Sequence, residues 1–276
     1  MTLPLVLSGA LLAATGAVQH GTFALQGGMQ KTQAYLRDTV RAGVHRFDIW
    51  YTRSAGAAAL TSYDLDMTKR LHLIVISDDF RQFYHIHPVL RGGHFTIAQA
   101  LPPRVRYDVY SDATPHGIGQ QVFRFAVGNA AAASSRDLSE RGTRANAGAY
   151  TVALSTNKVR AGSAVIDISI TKNGKPANDL TEYLGAAAHA VFINARDLSY
   201  VHAHPMTGGM SMGHGGMDMD MDESTPKELP PGAHVASMMM LHAQIQEAGT
   251  YKLWLQFRGG GRLHVAPFVI TAFASK

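Results

Sequence analysis

Two ungapped windows of this chain carry the same three histidines at the same spacing, and that repetition constrains the fold more than any other feature. Leu71 to Pro88 reads LHLIVISDDFRQFYHIHP, and Ala188 to Pro205 reads AHAVFINARDLSYVHAHP. His72 aligns with His189, His85 with His202, His87 with His204, and Pro88 with Pro205. Histidine supplies only 14 of 276 residues, so three coincidences in one window indicate a duplication. The likeness continues downstream, where Arg106-Tyr107-Asp108-Val109-Tyr110 matches Thr250-Tyr251-Lys252-Leu253-Trp254. Each copy then closes on an apolar strand, Val122 to Val127 and Pro267 to Ala272.

Local patterns within each copy favour strands. Leu71 to Ile76 is a short apolar run ending in a Ser-Asp-Asp turn, followed by Phe83 to His87. Tyr150 to Leu154, Ala164 to Ile170 and Tyr251 to Phe257 alternate or are rich in β-branched and aromatic residues. Asn173-Gly174 is a two-residue hairpin signal. With no long amphipathic helix in view, the expectation is all-β: two tandem immunoglobulin-like antiparallel β-sandwich domains. Their bounds are placed at 29–128 and 148–276. Between them, Gly128 to Gly148 is rich in Ala, Ser, Arg and Gly without hydrophobic periodicity, and 129–147 reads as a linker.

Side chains alternate along a strand, so His85 and His87 share a face, as do His202 and His204. The preceding strand brings His72 or His189 alongside. This predicts three imidazole nitrogens per domain, a donor set suited to copper, zinc or nickel. The bland alternative is that these histidines merely hydrogen-bond to neighbouring backbone. His264, in GGGRLHVAP, is a candidate fourth ligand in the second domain, with His116 its rough counterpart in the first. His94 and His242 are secondary candidates, and His20, His45 and His234 read as surface or core residues.

The second copy carries an insert after its His-x-His-Pro. Met206 to Asp222 reads MTGGMSMGHGGMDMDMD, and Met238-Met239-Met240 follows. Nine of the 12 methionines fall in these two clusters, alternating with Gly, Ser, His and Asp, which cannot build a core. Thioethers are soft donors that select Cu(I). Met206, Met210, Met212, Met217, Met219 and Met221, with His214, are therefore candidate copper ligands. The competing reading is low-complexity filler. The second domain is accordingly the expected seat of copper chemistry, and the first the plainer copy.

Other classes are disfavoured. Cysteine is absent, which excludes disulfides, thiolate metal sites and cysteine nucleophiles. A net charge of +5 is spread without basic runs, so nucleic acid is not an expected partner. There is no nucleophile motif, HExxH or phosphate-cradling loop, and an enzyme is not expected. Residues 1–28 resemble a signal peptide: Leu3 to Val18 is apolar, and Thr15-Gly16-Ala17 would suit cleavage. The usual positive n-region is missing, and a buried strand is the alternative.

The runs KRLHLIVISDDFRQFYHIHP, DLTEYLGAAAHAVFINARDLSYVHAHP and TYKLWLQFRGGGRLHVAPF resemble a family of exported bacterial proteins with one or two such modules, described as secreted or heavy-metal-related. The likeness covers most of residues 30–273 and implies export and a β-sandwich. Separately, MSMGHGGMDMDMD is similar in composition to Met/His-rich segments of periplasmic copper-resistance proteins. The combined expectation is a periplasmic or secreted protein that binds copper as Cu(I) or Cu(II), with zinc as the alternative. A copper exporter or oxidase is the expected partner, with no membrane association beyond an uncleaved N-terminal segment. An immunoglobulin-like interaction module with structural histidines, or a metal-dependent enzyme, are the competing readings.

Overall fold

The structure, a computed structural model, describes residues 16–129, 135–207 and 228–275. The first half contains β1 (Val18–His20), β2 (Thr22–Phe23), β3 (Gln33–Arg41), β4 (Val44–Thr52), β5 (Tyr63–Asp64) and β6 (Leu71–Ser77). It continues with β7 (Phe83–Ile86), β8 (Val89–Arg91), β9 (His94–Ala100), β10 (Arg106–Pro115) and β11 (Gln121–Gly128). The second half contains β12 (Arg144–Ala147), β13 (Tyr150–Leu154), β14 (Lys158–Arg160), β15 (Gly162–Lys172), β16 (Lys175–Pro176) and β17 (Leu180–Thr181). It closes with β18 (His189–Asn194), β19 (Tyr200–Ala203), β20 (Met206–Thr207), β21 (Met238–Ile245), β22 (Gly249–Gly259) and β23 (Arg262–Phe273).

The duplication extends to the topology. One sheet of the first half has the order β1-β3-β4-β9-β8, and its counterpart in the second is β12-β13-β15-β21-β20. The other sheets run β2-β11-β10-β6-β7 and β14-β23-β22-β18-β19. The copies differ at an edge: β14 runs parallel to β23, whereas β2 runs antiparallel to β11. Each half is an immunoglobulin-like sandwich, as the sequence predicts, with antiparallel strand pairing throughout except between β14 and β23. The Asn173-Gly174 hairpin forms as expected, with Lys172 opposite Lys175 and both turn residues at positive φ.

Each sandwich has its own core. Phe47, Ile49, Leu73, Val75, Tyr107 and Phe123 fill the first, and Ile166, Ile168, Phe192, Leu253, Phe257 and Phe268 fill the second. A third apolar cluster joins the halves: Ile74, Ile76, Phe80 and Tyr110 pack with Val191, Ile193, Tyr200 and Trp254. This explains why every residue of β6 and of β18 is buried. Their alternate side chains enter the domain core on one face and the joint between domains on the other, so neither strand has a wet face to mark with polar residues.

Described residues in both of the spans expected to lie outside the sandwiches carry strands. The leader-like span 1–28 is partly folded: β1 pairs with β3, β2 pairs with β11, and Gln26 bonds to Ser199, Tyr251 and Gln246 of the second domain. Residues 1–15 lie outside the described residues. The expected linker is also more structured than its composition indicates. Arg144–Ala147 forms a hairpin with Tyr150–Ala153, Asp137 N–H donates to Asp79 O at 2.8 Å, and Val269 N–H donates to Glu140 O at 2.8 Å. Backbone hydrogen bonding needs no side-chain pattern, so a segment of small residues can be sewn down without showing periodicity.

Candidate metal centre

The alternation that buries β6 also sets its histidine. Leu73 and Val75 point into the first core, so His72 shares the opposite face with Ile74 and Ile76. On β7, Tyr84 and Ile86 pack on the core, which turns His85 and His87 to the joint. The second half repeats this: Val201 and Ala203 face its core while Tyr200, His202 and His204 face the joint, next to His189 at the start of β18.

Because the two histidine-bearing sheets face each other, the predicted trios do not form two separate sites. They meet. Ring centroids lie 5.0 Å apart for His72 and His202, 5.2 Å for His85 and His189, and 5.9 Å for His72 and His189. One donor nitrogen from each of His72, His85, His189 and His202 lies within 4.8 Å of all the others. His87 packs 4.7 Å from His85, and His204 packs 4.6 Å from His202.

The hydrogen bonds around this group fix which nitrogens are free. A backbone carbonyl only accepts, so Nε2–H of His72 donates to Asp66 O at 3.1 Å and Nε2–H of His189 donates to Tyr183 O at 2.9 Å. Nδ1 of each ring is left as a bare lone pair. The other two imidazoles are oriented across the joint: Nδ1–H of His85 donates to the Gln256 amide oxygen at 2.9 Å, and Nδ1–H of His202 to the Asp112 carboxylate at 3.3 Å. Gln256 lies beside His189 and Asp112 beside His72 in the strand register, so each domain orients a histidine of the other.

Four bare nitrogens therefore converge. Nδ1 of His72 faces Nε2 of His85 at 2.8 Å, and Nδ1 of His189 faces Nε2 of His202 at 3.3 Å. Lone pairs at that separation repel unless a cation lies between them. A proton is opposed by burial, which holds His72 below its ordinary value near 6.5 and His85, His189 and His202 well below it. A metal ion placed between the four nitrogens would remove the conflict. Tetrahedral coordination with bonds of about 2.0 Å has a nitrogen–nitrogen edge of about 3.3 Å. Each ring also donates its second N–H to a carbonyl or carboxylate, the outer arrangement that orients metal-ligating histidines.

His87 and His204 add to this. Burial lowers them to about 3 and about 4, and their buried Nε2 atoms have no hydrogen-bond partner among the described residues. Asp66, His202 and His204 form a second, overlapping group of close donors. Asp112 is buried, accepts from Tyr200 and Gln120 at 3.0 and 2.9 Å, and is pushed up to about 7 by burial and by Asp66. A nearby cation would favour its ionised form.

Other candidates lie elsewhere. His264 does not reach the centre as a fourth ligand: it pairs with Phe257 across β22 and β23, stacks on that ring at 5.3 Å and donates to Gly259 O at 3.1 Å. His116, His94 and His45 bond to Asp64, Asp48 and Asp38, and His234 to Asn178 O. Met206 is exposed on β20. Met210, Met212, His214, Met217, Met219 and Met221 lie outside the described residues. Sequence reasoning missed Asp66, Asp112, Tyr183 and Gln256. A signal existed for one pair: Asp112 and Gln256 each stand five residues after the aligned tyrosines Tyr107 and Tyr251, polar positions in otherwise apolar strands.

Residues 144–273 match a family described as a domain of unknown function (DUF8832). The match begins at the first residue of β12 and ends at the last of β23, so it frames the second sandwich. No match to the chain is found among curated proteins.

Proposed function

We propose that this protein binds a transition-metal ion between its two sandwich domains and acts outside the cytoplasm in copper sequestration, tolerance or delivery. The observation that carries this reading is the convergence of four imidazole nitrogens from both domains, each ring held by a second hydrogen bond. An all-imidazole donor set suits borderline divalent ions, and Cu(II) stands highest among them in intrinsic affinity, with zinc next to consider. The absence of cysteine fits a copper handler, since copper oxidises thiols.

The test is a competition titration of the purified chain with Cu(II) and Zn(II) against a chelator of known affinity. One tight equivalent is expected per chain, lost equally in His72→Ala and His189→Ala. Two independent equivalents, each lost only with its own domain's histidines, would overturn the joint centre. A second reading, an interaction module with structural histidines, draws on the hydrogen-bond partner that each of the four inner rings has. It leaves His87 and His204 unexplained, and it requires that no tight equivalent be seen.

A further inference from the structure

The outer face of the β15-β21-β20 sheet carries a second set of metal donors, remote in chemistry from the buried histidines. Strand β21 alternates: Met239, Leu241, Ala243 and Ile245 enter the core, while Met238, Met240 and His242 point outward. Met206 on β20 stands directly opposite Met240, and Asp167 of β15 stands opposite it on the other side. Met206, Met238 and Met240 are 44%, 63% and 40% exposed. The His242 Nε2 atom lies 3.0 Å from the Met240 sulfur.

Burial does not account for these methionines. Single exposed apolar residues are ordinary, but three thioethers and an imidazole on one sheet face form a set of soft sulfur donors with one borderline nitrogen. Directly opposed strand residues have Cβ atoms about 5 Å apart, and the three-torsion methionine side chain can bring its sulfur in from there.

We propose that Met206, Met240 and His242 form a surface site for Cu(I), with Met238 beside them as a further thioether. Neutral sulfur donors favour Cu(I) over zinc, magnesium or calcium, and one imidazole is compatible with that choice. Tetrahedral bonds of about 2.0 Å to nitrogen and 2.3 Å to sulfur place the two donors about 3.5 Å apart. The Met240–His242 contact therefore opens by roughly half an ångström on binding. Asp167 adds negative charge next to the site without competing as a soft ligand. The chain also links this site to the buried centre: Met206 follows His204 by two residues, with Pro205 between, and His204 Nε2 has no hydrogen-bond partner among the described residues. The inference deepens the copper-handling reading, but its donors are separate from the six buried histidines.

The full chain, titrated anaerobically with Cu(I) held by bicinchoninate, tests the proposal. Met240→Leu with His242→Ala should lose the tightest Cu(I) equivalent, or weaken it by at least about tenfold, while Cu(II) and Zn(II) titrations stay as in the wild type. X-ray absorption of the Cu(I) form should show sulfur and nitrogen neighbours, with nitrogen lost in His242→Ala. Met240→Leu alone is nearly isosteric on an exposed face and keeps the test valid if the double variant folds poorly. Unchanged Cu(I) affinity and unchanged sulfur and nitrogen neighbours in these variants would overturn the site. If Cu(II) and Zn(II) do not bind at all while Cu(I) binding still depends on Met240, the buried centre fails and the surface site stands.

Discussion

His85 of the first domain donates from Nδ1 to the side-chain oxygen of Gln256 in the second, at 2.9 Å and across 171 residues of sequence. That bond leaves Nε2 of His85 free and aims it at Nδ1 of His72. Gln256→Ala would free the ring to rotate and to exchange tautomers. Loss of such an outer partner weakens metal binding by about 10- to 100-fold. The chelator competition should report a weaker constant with unchanged stoichiometry; wild-type affinity would show that the ring is oriented by other means.

Asp112 plays the corresponding part for His202, but with a carboxyl that burial pushes up to about 7. Asp112→Asn should separate two properties. Metal affinity falls, because the anionic acceptor for His202 is gone. Metal-free stability above pH 7 does not fall, because a buried carboxylate no longer has to ionise. Denaturation midpoints at pH 8, set beside the titration, check the pair of outcomes. A large loss of metal-free stability would assign Asp112 a structural role instead.

An ion that binds only the folded chain stabilises it by about 2.7 kcal/mol at a concentration one hundred times its dissociation constant. In a chain of this size that raises the melting temperature by several degrees, on the scale of about 2–4 °C per kcal/mol. Removing a ligand from either domain should abolish the rise, so His72→Ala and His189→Ala should each melt at one temperature with or without metal. A rise that survives His189→Ala would confine the site to the first domain.

The duplication, the sandwich class and the six central histidines were all legible in the sequence, because they rest on local periodicity and on a repeated motif. Their union was not. Nothing in His72-x-Ile74-x-Ile76 distinguishes a face turned to a ligand loop from one turned to a second domain. The unbroken apolar runs Leu73 to Ile76 and Ala190 to Ile193 were a hint, since a two-sided run in an antiparallel sheet needs a second cover. His264 misled for a related reason: its place in the chain fits a ligand, but its strand register sets it against Phe257. Asp112 and Gln256 escaped notice because their role depends on which sheet faces which.

Trp254 holds the joint together apolarly. Its ring stacks on Phe83 at 5.2 Å and meets Phe80 edge-on at 5.7 Å, both from the other domain. Trp254→Ala should cost about 3–5 kcal/mol. Since the same sheet face carries the histidines, metal affinity should fall as well. Urea denaturation with a metal titration on the same sample checks this. Undiminished metal affinity despite the destabilisation would mean that the centre does not depend on the packed joint.

The six imidazoles also set the acid response of the metal-free chain. All have folded-state values below the ordinary 6.5, His87 at about 3 and His204 at about 4. The unfolded chain therefore binds more protons than the folded one once the pH drops below about 6.5. Stability that is fully present above that value is lost as the pH falls through 6.5 toward 4. The slope approaches about 1.4 kcal/mol per pH unit for each imidazole involved. Asp112 acts in the opposite sense: its folded value of about 7 lets it take up a proton that the unfolded carboxyl refuses down to about 4. One carboxyl offsets one imidazole, and the rest prevail. Urea midpoints of the metal-free protein should fall steeply between pH 7 and pH 5, and bound metal should flatten that fall until protons displace it. A metal-free midpoint constant over that range would mean that the histidines are not held neutral by burial, and the four converging lone pairs would lose their support.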